Sequence, residues 1–85
     1  MIDNDNIIAL ATPLGSGAIS IIRVSGPKTI EITDSLFKSK DGSNLIKKNS
    51  HTITLGEIVD NSRVIDEVLV SLFVSPKSYT GENVV

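Results

Sequence analysis

The sequence predicts a small α+β domain, a mostly antiparallel sheet with one or more helices packed on one face. Three observations lead there. Short apolar runs recur at 7–11, 18–24, 51–59 and 64–74, each bounded by Gly, Pro, Asn or Ser. Only residues 27–38 carry apolar side chains at helical spacing. Asp60-Asn61-Ser62-Arg63 joins two of the apolar runs as a hairpin loop. At 85 residues the chain is one domain, and a chain of this size buries roughly 60% of its unfolded surface, so its core is thin.

Residues 1–6 form a polar lead-in; Asp3, Asn4, Asp5 and Asn6 lack the spacing of a calcium loop and read as a solvated terminus. Ile7 to Ala11 is the first strand. Thr12 to Gly17 is a turn in which Gly15 and Gly17 suit positive φ or close backbone approach. Ala18 to Val24 then reads as a buried strand, antiparallel to the first. Alternation places Ile19, Ile21 and Arg23 on one of its faces. A guanidinium at the end of an apolar stripe needs a partner, because an unpaired buried charge is too costly. That partner is either a carboxylate of the same chain or a ligand.

Pro27 to Lys38 reads as the helix, with Pro27 at its first position. Ile30, Thr33, Leu36 and Phe37 form its inward stripe with Ile32 at the flank, and Lys38 and Lys40 complement its C-terminal dipole. Ser39 to Ser50 is a polar loop with an Asp-Gly turn, docked by Leu45 and Ile46. His51 to Val59 is a strand with Ile53, Leu55, Glu57 and Val59 on one face and Thr52, Thr54, Gly56 and Ile58 on the other. Val64 to Val74 is apolar on both faces and is placed centrally in the sheet. Ser75 to Ser78 breaks it, Tyr79-Thr80-Gly81 turns, and Glu82 to Val85 begins a further strand that stops without a turn or cap, as a truncated strand does.

Composition excludes several classes of function. Eight basic and ten acidic residues give a net charge of −2, against the basic excess of a nucleic-acid surface. Three aromatics, Phe37, Phe73 and Tyr79, do not make a stacking platform. With no cysteine and only His51, neither a disulfide, a structural zinc site nor thiol chemistry is available, and no Ser-His-Asp set can be assembled. No catalytic residue and no metal ligand is assigned. The Gly-x-Gly at 15–17 lacks a third glycine and is followed by strand, and no phosphate-loop motif occurs, so this chain is expected to bind no GTP. No apolar run is long enough for a membrane helix, and the acidic N-terminus is unlike a signal peptide, so the expected compartment is the cytoplasm with no membrane partner.

Two blocks carry a resemblance. Residues 11–27, ATPLGSGAISIIRVSGP, and residues 64–67, VIDE, followed by 73–85, FVSPKSYTGENVV, resemble the N-terminal domain of the tRNA modification GTPase family usually called MnmE or TrmE. The resemblance covers nearly the whole chain. Leu14, Ser16 and Asn83 stand where the family commonly has proline, arginine and aspartate. It implies that residues 1–85 are a folate-binding and dimerisation domain, shortened at its C-terminus and without the helical and GTPase domains. It implies a fold similar to the folate-binding domain of the glycine-cleavage aminomethyltransferase. It further implies a 5-formyl-tetrahydrofolate or related reduced folate as cofactor, with GTP, magnesium and potassium belonging to the GTPase domain. The implied partners are a second copy, a flavoprotein and tRNA, whose wobble uridine is modified. By the same resemblance Arg23 and Glu82 are folate contacts, and a third contact, a lysine, lies beyond Val85. The bland alternative for both residues is an internal pairing with each other, or of Arg23 with Asp66 or Glu67. The alternative functions are a stand-alone folate-dependent one-carbon transferase domain and a simple interaction scaffold.

Overall fold

The computed structural model describes residues 5–11, 19–75 and 82–85. The turn at Thr12–Gly17, the start of the second strand at Ala18 and the Pro76–Gly81 break and turn lie outside the described residues. The elements in order are β1 (Ile7–Leu10), β2 (Ile22–Ser25), α1 (Thr29–Leu36), β3 (Phe37–Ser39), a 3-10 turn (Leu45–Lys47), β4 (Thr52–Asp60) and β5 (Arg63–Leu72). All pairings are antiparallel. β1 and β2 form one sheet, and β3, β4 and β5 form a second in that order.

β4 and β5 are joined by the two-residue turn Asn61-Ser62, with φ of 48° and 67°. Positive φ at both positions is the hairpin geometry that matches strand twist. The register then slips by one residue between Ile58 and Val59, which leaves Ile65 as the extra residue of a bulge. Cross-strand register puts Phe37 and Ser39, Thr54, Gly56 and Ile58, and Val68, Val70 and Leu72 on one face. That face meets α1 and the 3-10 turn, and the core forms there from Ile30, Phe37, Leu45, Val70 and Leu72. Leu45 reaches it because its N–H donates to Asp34 Oδ1 of α1 at 2.8 Å. Gly56 leaves room for the β3 backbone and the Phe37 ring, since a Cβ there would meet the Lys38 carbonyl oxygen and lie 2.5 Å from Phe37 Cζ.

Residues 82–85 bind the two sheets together. Val84 bridges Ser25 on one side and Phe73 on the other and is 2% exposed. Val24 and Val85 exchange both backbone hydrogen bonds at 2.8 Å, and the Gly26 N–H donates to the Asn83 carbonyl at 3.1 Å.

Four expectations are corrected. The helix spans Thr29–Leu36, not 27–38. Lys28 is its non-helical cap residue and gives its N–H to Asn6 Oδ1, so Pro27 lies in the preceding turn. At the other end Phe37 turns extended, with φ −113° and ψ 133°, and enters the core from β3. Leu36 is consequently exposed rather than inward, as is Ile32 at the flank of the stripe. The second strand is shorter than predicted and not buried, because its hairpin has only two strands and Ile19, Ile21 and Ile22 all remain exposed. β5 is an edge of its sheet and β4 is the centre. β5 is apolar on both faces because only its last part enters the core, while Val64, Ile65 and Leu69 face outward.

Candidate ligand-binding site

Arg23 is held on β2 opposite Ala9 of β1. The strand exists here because Ile22 and Val24 supply branched side chains, and it ends at Gly26, whose φ of +138° suits glycine. A Cβ on Gly26 would lie 2.6 Å from Asn6 Oδ1, so the turn requires glycine for space as well. Arg23 is exposed, with Ser25 beside it on the same face and Ile7 across the ladder.

Glu82 is half-buried at the start of the segment that pairs with the other edge of β2. Asn83 fixes that segment twice: its carbonyl accepts from Gly26 N–H, and its Oδ1 accepts the Ser75 N–H at 2.7 Å. The pairing runs through Val24–Val85, Ser25–Val84 and Gly26–Asn83, and Glu82 lies just beyond its last pair. Arg23 lies on β2 at one end of this pairing, and Glu82 lies beyond its other end, past the turn residue Gly26. The pairing brings the segments that carry the two predicted residues side by side without setting their backbones opposite each other. Among the internal partners considered for Arg23, Glu67 pairs with Lys40 at 3.4 Å, and Asp66 Oδ1 accepts the Glu67 backbone N–H at 2.8 Å.

Two other polar clusters lie elsewhere. Asp41 Oδ1 accepts from Ser39 Oγ, Ser43 N–H and Ser43 Oγ, and its Oδ2 faces Lys48 Nζ at 3.3 Å. The hydrogen bonds from Ser43, then that from Ser39, hold this carboxyl well below the usual carboxylate range. A cavity of about 180 Å³ lies beside it, lined by Phe37, Ser39, Gly42 and Ser43 among others. It is smaller than the usual small-molecule site of roughly 300–1,000 Å³ and belongs to the β3 side, not to Arg23. His51 is exposed, with its Nδ1 at 2.8 Å from Ser50 Oγ and its ring edge-on to Phe73. Sequence reasoning assigned no function to Asp41, and its Ser-x-Asp-x-Ser spacing is the signal that marks the turn. Among the described residues no group of three metal-ligating side chains occurs, and no helix is long and apolar enough to cross a membrane.

The family model described as GTP-binding protein TrmE N-terminus matches residues 6–85. A protein of Christiangramia forsetii named tRNA modification GTPase MnmE is 58% identical over 82 residues, covering 96% of this chain and 17% of that relative. Proteins of the same name from Flavobacterium johnsoniae and Bacillus subtilis are 53% and 46% identical, over 100% and 95% of this chain and 18% of each relative. The chain therefore spans less than a fifth of the length of these relatives. With a family model matched over nearly its whole length and relatives this similar, the chain belongs to the TrmE N-terminal family.

Proposed function

We propose that this domain binds a reduced folate across Arg23 and Glu82 and pairs with a second copy of itself. It thereby serves a cytoplasmic GTP-hydrolysing assembly that modifies the wobble uridine of tRNA. The observation that supports the folate reading is the pairing of residues 83–85 with Val24, Ser25 and Gly26, which brings the segment of Glu82 alongside the strand of Arg23. The placement of Arg23 and Glu82 at opposite ends of this pairing suits an elongated ligand with different chemistry at its two ends. A carboxylate matches the N–H donors of a pterin edge, and a guanidinium matches the carboxylates of a glutamate tail. The donor set therefore fits a 5-formyl-tetrahydrofolate, which when bound supplies the one-carbon unit. Arg23 and Glu82 bind and orient it, and neither is assigned a chemical step. A fold similar to the aminomethyltransferase folate domain and a flavoprotein partner belong to the same proposal. The alternatives are a stand-alone one-carbon transferase and a plain scaffold.

The test is folate binding, read as a ligand-induced rise in the unfolding temperature and by calorimetric titration, on this chain and on a full-length relative. A hydrogen bond to a charged group contributes roughly 1.5–3 kcal/mol, so Arg23→Ala is expected to weaken 5-formyl-tetrahydrofolate binding about tenfold or more. Arg23→Lys is expected to recover it only partly, because a point charge lacks the bidentate fork. Parental affinity in both Arg23→Ala and Glu82→Ala would remove the assignment.

A further inference from the structure

We infer that Asn83 is the positioning residue for Glu82, setting it at the ligand site by tying its segment to the end of β5. This rests on the folate reading above and adds the residue that fixes one of its two contacts. Residues 83–85 lie between the hairpin and the β3–β5 sheet. Val84 and Val85 are held there through backbone: Val85 exchanges hydrogen bonds with Val24, and Val84 exchanges them with Phe73 at 2.8 and 2.9 Å. Main-chain donors and acceptors make such bonds whatever the side chain. At Asn83 a side chain takes part as well. Its carbonyl accepts the Gly26 N–H at 3.1 Å, and its Oδ1 accepts the Ser75 N–H at 2.7 Å. Substitution at Asn83 can therefore loosen the start of the segment and leave the backbone bonds of Val84 and Val85 in place.

The Ser75 contact also decides where the ladder to β5 stops. Phe73 and Val84 form an antiparallel, hydrogen-bonded pair. Bonded pairs recur every second residue along such a ladder, so a continued ladder would join Ser75 to Glu82. The Ser75 N–H goes to the Asn83 side chain instead. The amide thus stands in for the Glu82 carbonyl, and Glu82 sits half-buried at the head of the segment. The frame on the other side is fixed too. Gly26 has φ +138° with Asn6 Oδ1 where a Cβ would lie, and the same Oδ1 accepts the Lys28 N–H at 2.8 Å. With its carbonyl on this turn and its side chain on β5, Asn83 constrains the peptide that joins it to Glu82. A carboxylate held in place before the ligand arrives binds it with less loss of conformational freedom.

The experiment is calorimetric titration of this chain with 5-formyl-tetrahydrofolate. It compares the parent with Asn83→Ala, Asn83→Leu and Asn83→Asp, each alone and combined with Glu82→Ala, and urea unfolding confirms that each variant is folded. Asn83→Leu fills similar space without an acceptor, and Asn83→Asp keeps an acceptor at the same reach; their contrast alone carries the test if Asn83→Ala does not fold. Asn83→Ala and Asn83→Leu are expected to weaken binding about fivefold, and Asn83→Asp is expected to keep most of the affinity. In the Glu82→Ala background nothing is left to position, and the same changes are expected to alter affinity less than about twofold. Equal losses in the two backgrounds overturn the inference and leave Asn83 as a fastening between the sheets. Parental affinity in Asn83→Ala and Asn83→Leu overturns it with the folate reading intact, and so does a loss in Asn83→Asp as large as that in Asn83→Leu. Parental affinity in Glu82→Ala, or no binding by the parent chain, removes the folate contact itself and the inference with it.

Discussion

The β1–β2 hairpin and the β3–β5 sheet use similar residues to different ends. Both are antiparallel and rich in isoleucine, valine and leucine. In the β3–β5 sheet one face packs under α1 and the 3-10 turn, and Leu72 and Leu45 are 0% and 1% exposed. In the hairpin Ile7, Ile8, Leu10 and Ile22 are 49%, 70%, 45% and 59% exposed. The hairpin is fastened by backbone, through the Val24–Val85 exchange and the Val84 bridge, more than by side chains. An isolated two-stranded hairpin is only marginally stable in water. Stability is therefore concentrated in one sheet, while the proposed ligand residues sit on the other, where a strand can be polar and open without disturbing the core.

Side-chain truncation gives the sharpest contrast between these regions. Leu72→Ala removes a fully buried side chain and is expected to cost about 2–5 kcal/mol by transfer and cavity terms. Ile22→Ala, on the exposed hairpin, is expected to fall within about 0.5 kcal/mol of the parent. Urea unfolding of both variants reads the difference. Equal losses would mean that the hairpin is covered as deeply as the core in solution.

A smaller effect is expected where packing is already tight. Gly56 sits on β4 with the Lys38 carbonyl oxygen and the Phe37 ring against it, and a Cβ there would meet that backbone oxygen first and lie 2.5 Å from Phe37 Cζ and 2.7 Å from Cε1. The ring is buried among Ile30, Leu45 and Val70, so it has little room to withdraw. Gly56→Ala is expected to cost about 1–3 kcal/mol, the usual range for an overpacked core. The companion change Phe37→Leu in the same chain should return part of that loss, as a double-mutant cycle of unfolding free energies would show.

Much of the fold is legible from local sequence. Asn61-Ser62 announces the β4–β5 hairpin, Leu45 announces a loop docked on the core, and the alternation of β4 is correct residue by residue. What sequence does not convey is long-range. Whether β5 is central or at an edge depends on what pairs beside it, not on its own apolarity. Phe37 fits a helical stripe equally well as the first residue of a strand, and the choice is made by β4, whose Ile58 pairs with it. The site shows the same division. Arg23 stands out as the one charge in an apolar run. Glu82 has no local signal and enters only through the family resemblance. Its position relative to Arg23 follows from the pairing of residues 83–85 with β2, a contact between distant parts of the chain.

The weakest expected effect lies in the loop beside β3 and separates a turn from a core by its response to pH. Asp41 collects three hydrogen bonds on Oδ1 and faces Lys48 on Oδ2, and these depress its folded-state pKa below the ordinary aspartate value. A carboxyl depressed on folding contributes stability that is present above its unfolded pKa of about 3.9 and is lost as the pH falls further toward the folded value. Asp41→Asn keeps an acceptor for the Ser43 N–H but cannot titrate and cannot pair with Lys48. At neutral pH it is therefore expected to lower stability by less than Gly56→Ala does. Below the ordinary aspartate pKa the parent and variant curves should converge. The side chain is exposed, so added salt should shrink the part due to Lys48 and leave the Ser39 and Ser43 hydrogen bonds. Thermal unfolding of both chains at stepped pH between neutrality and strong acid, in low and high salt, measures this directly. A difference that stays constant across that range would assign the effect of the substitution to altered loop geometry instead of the Asp41 charge.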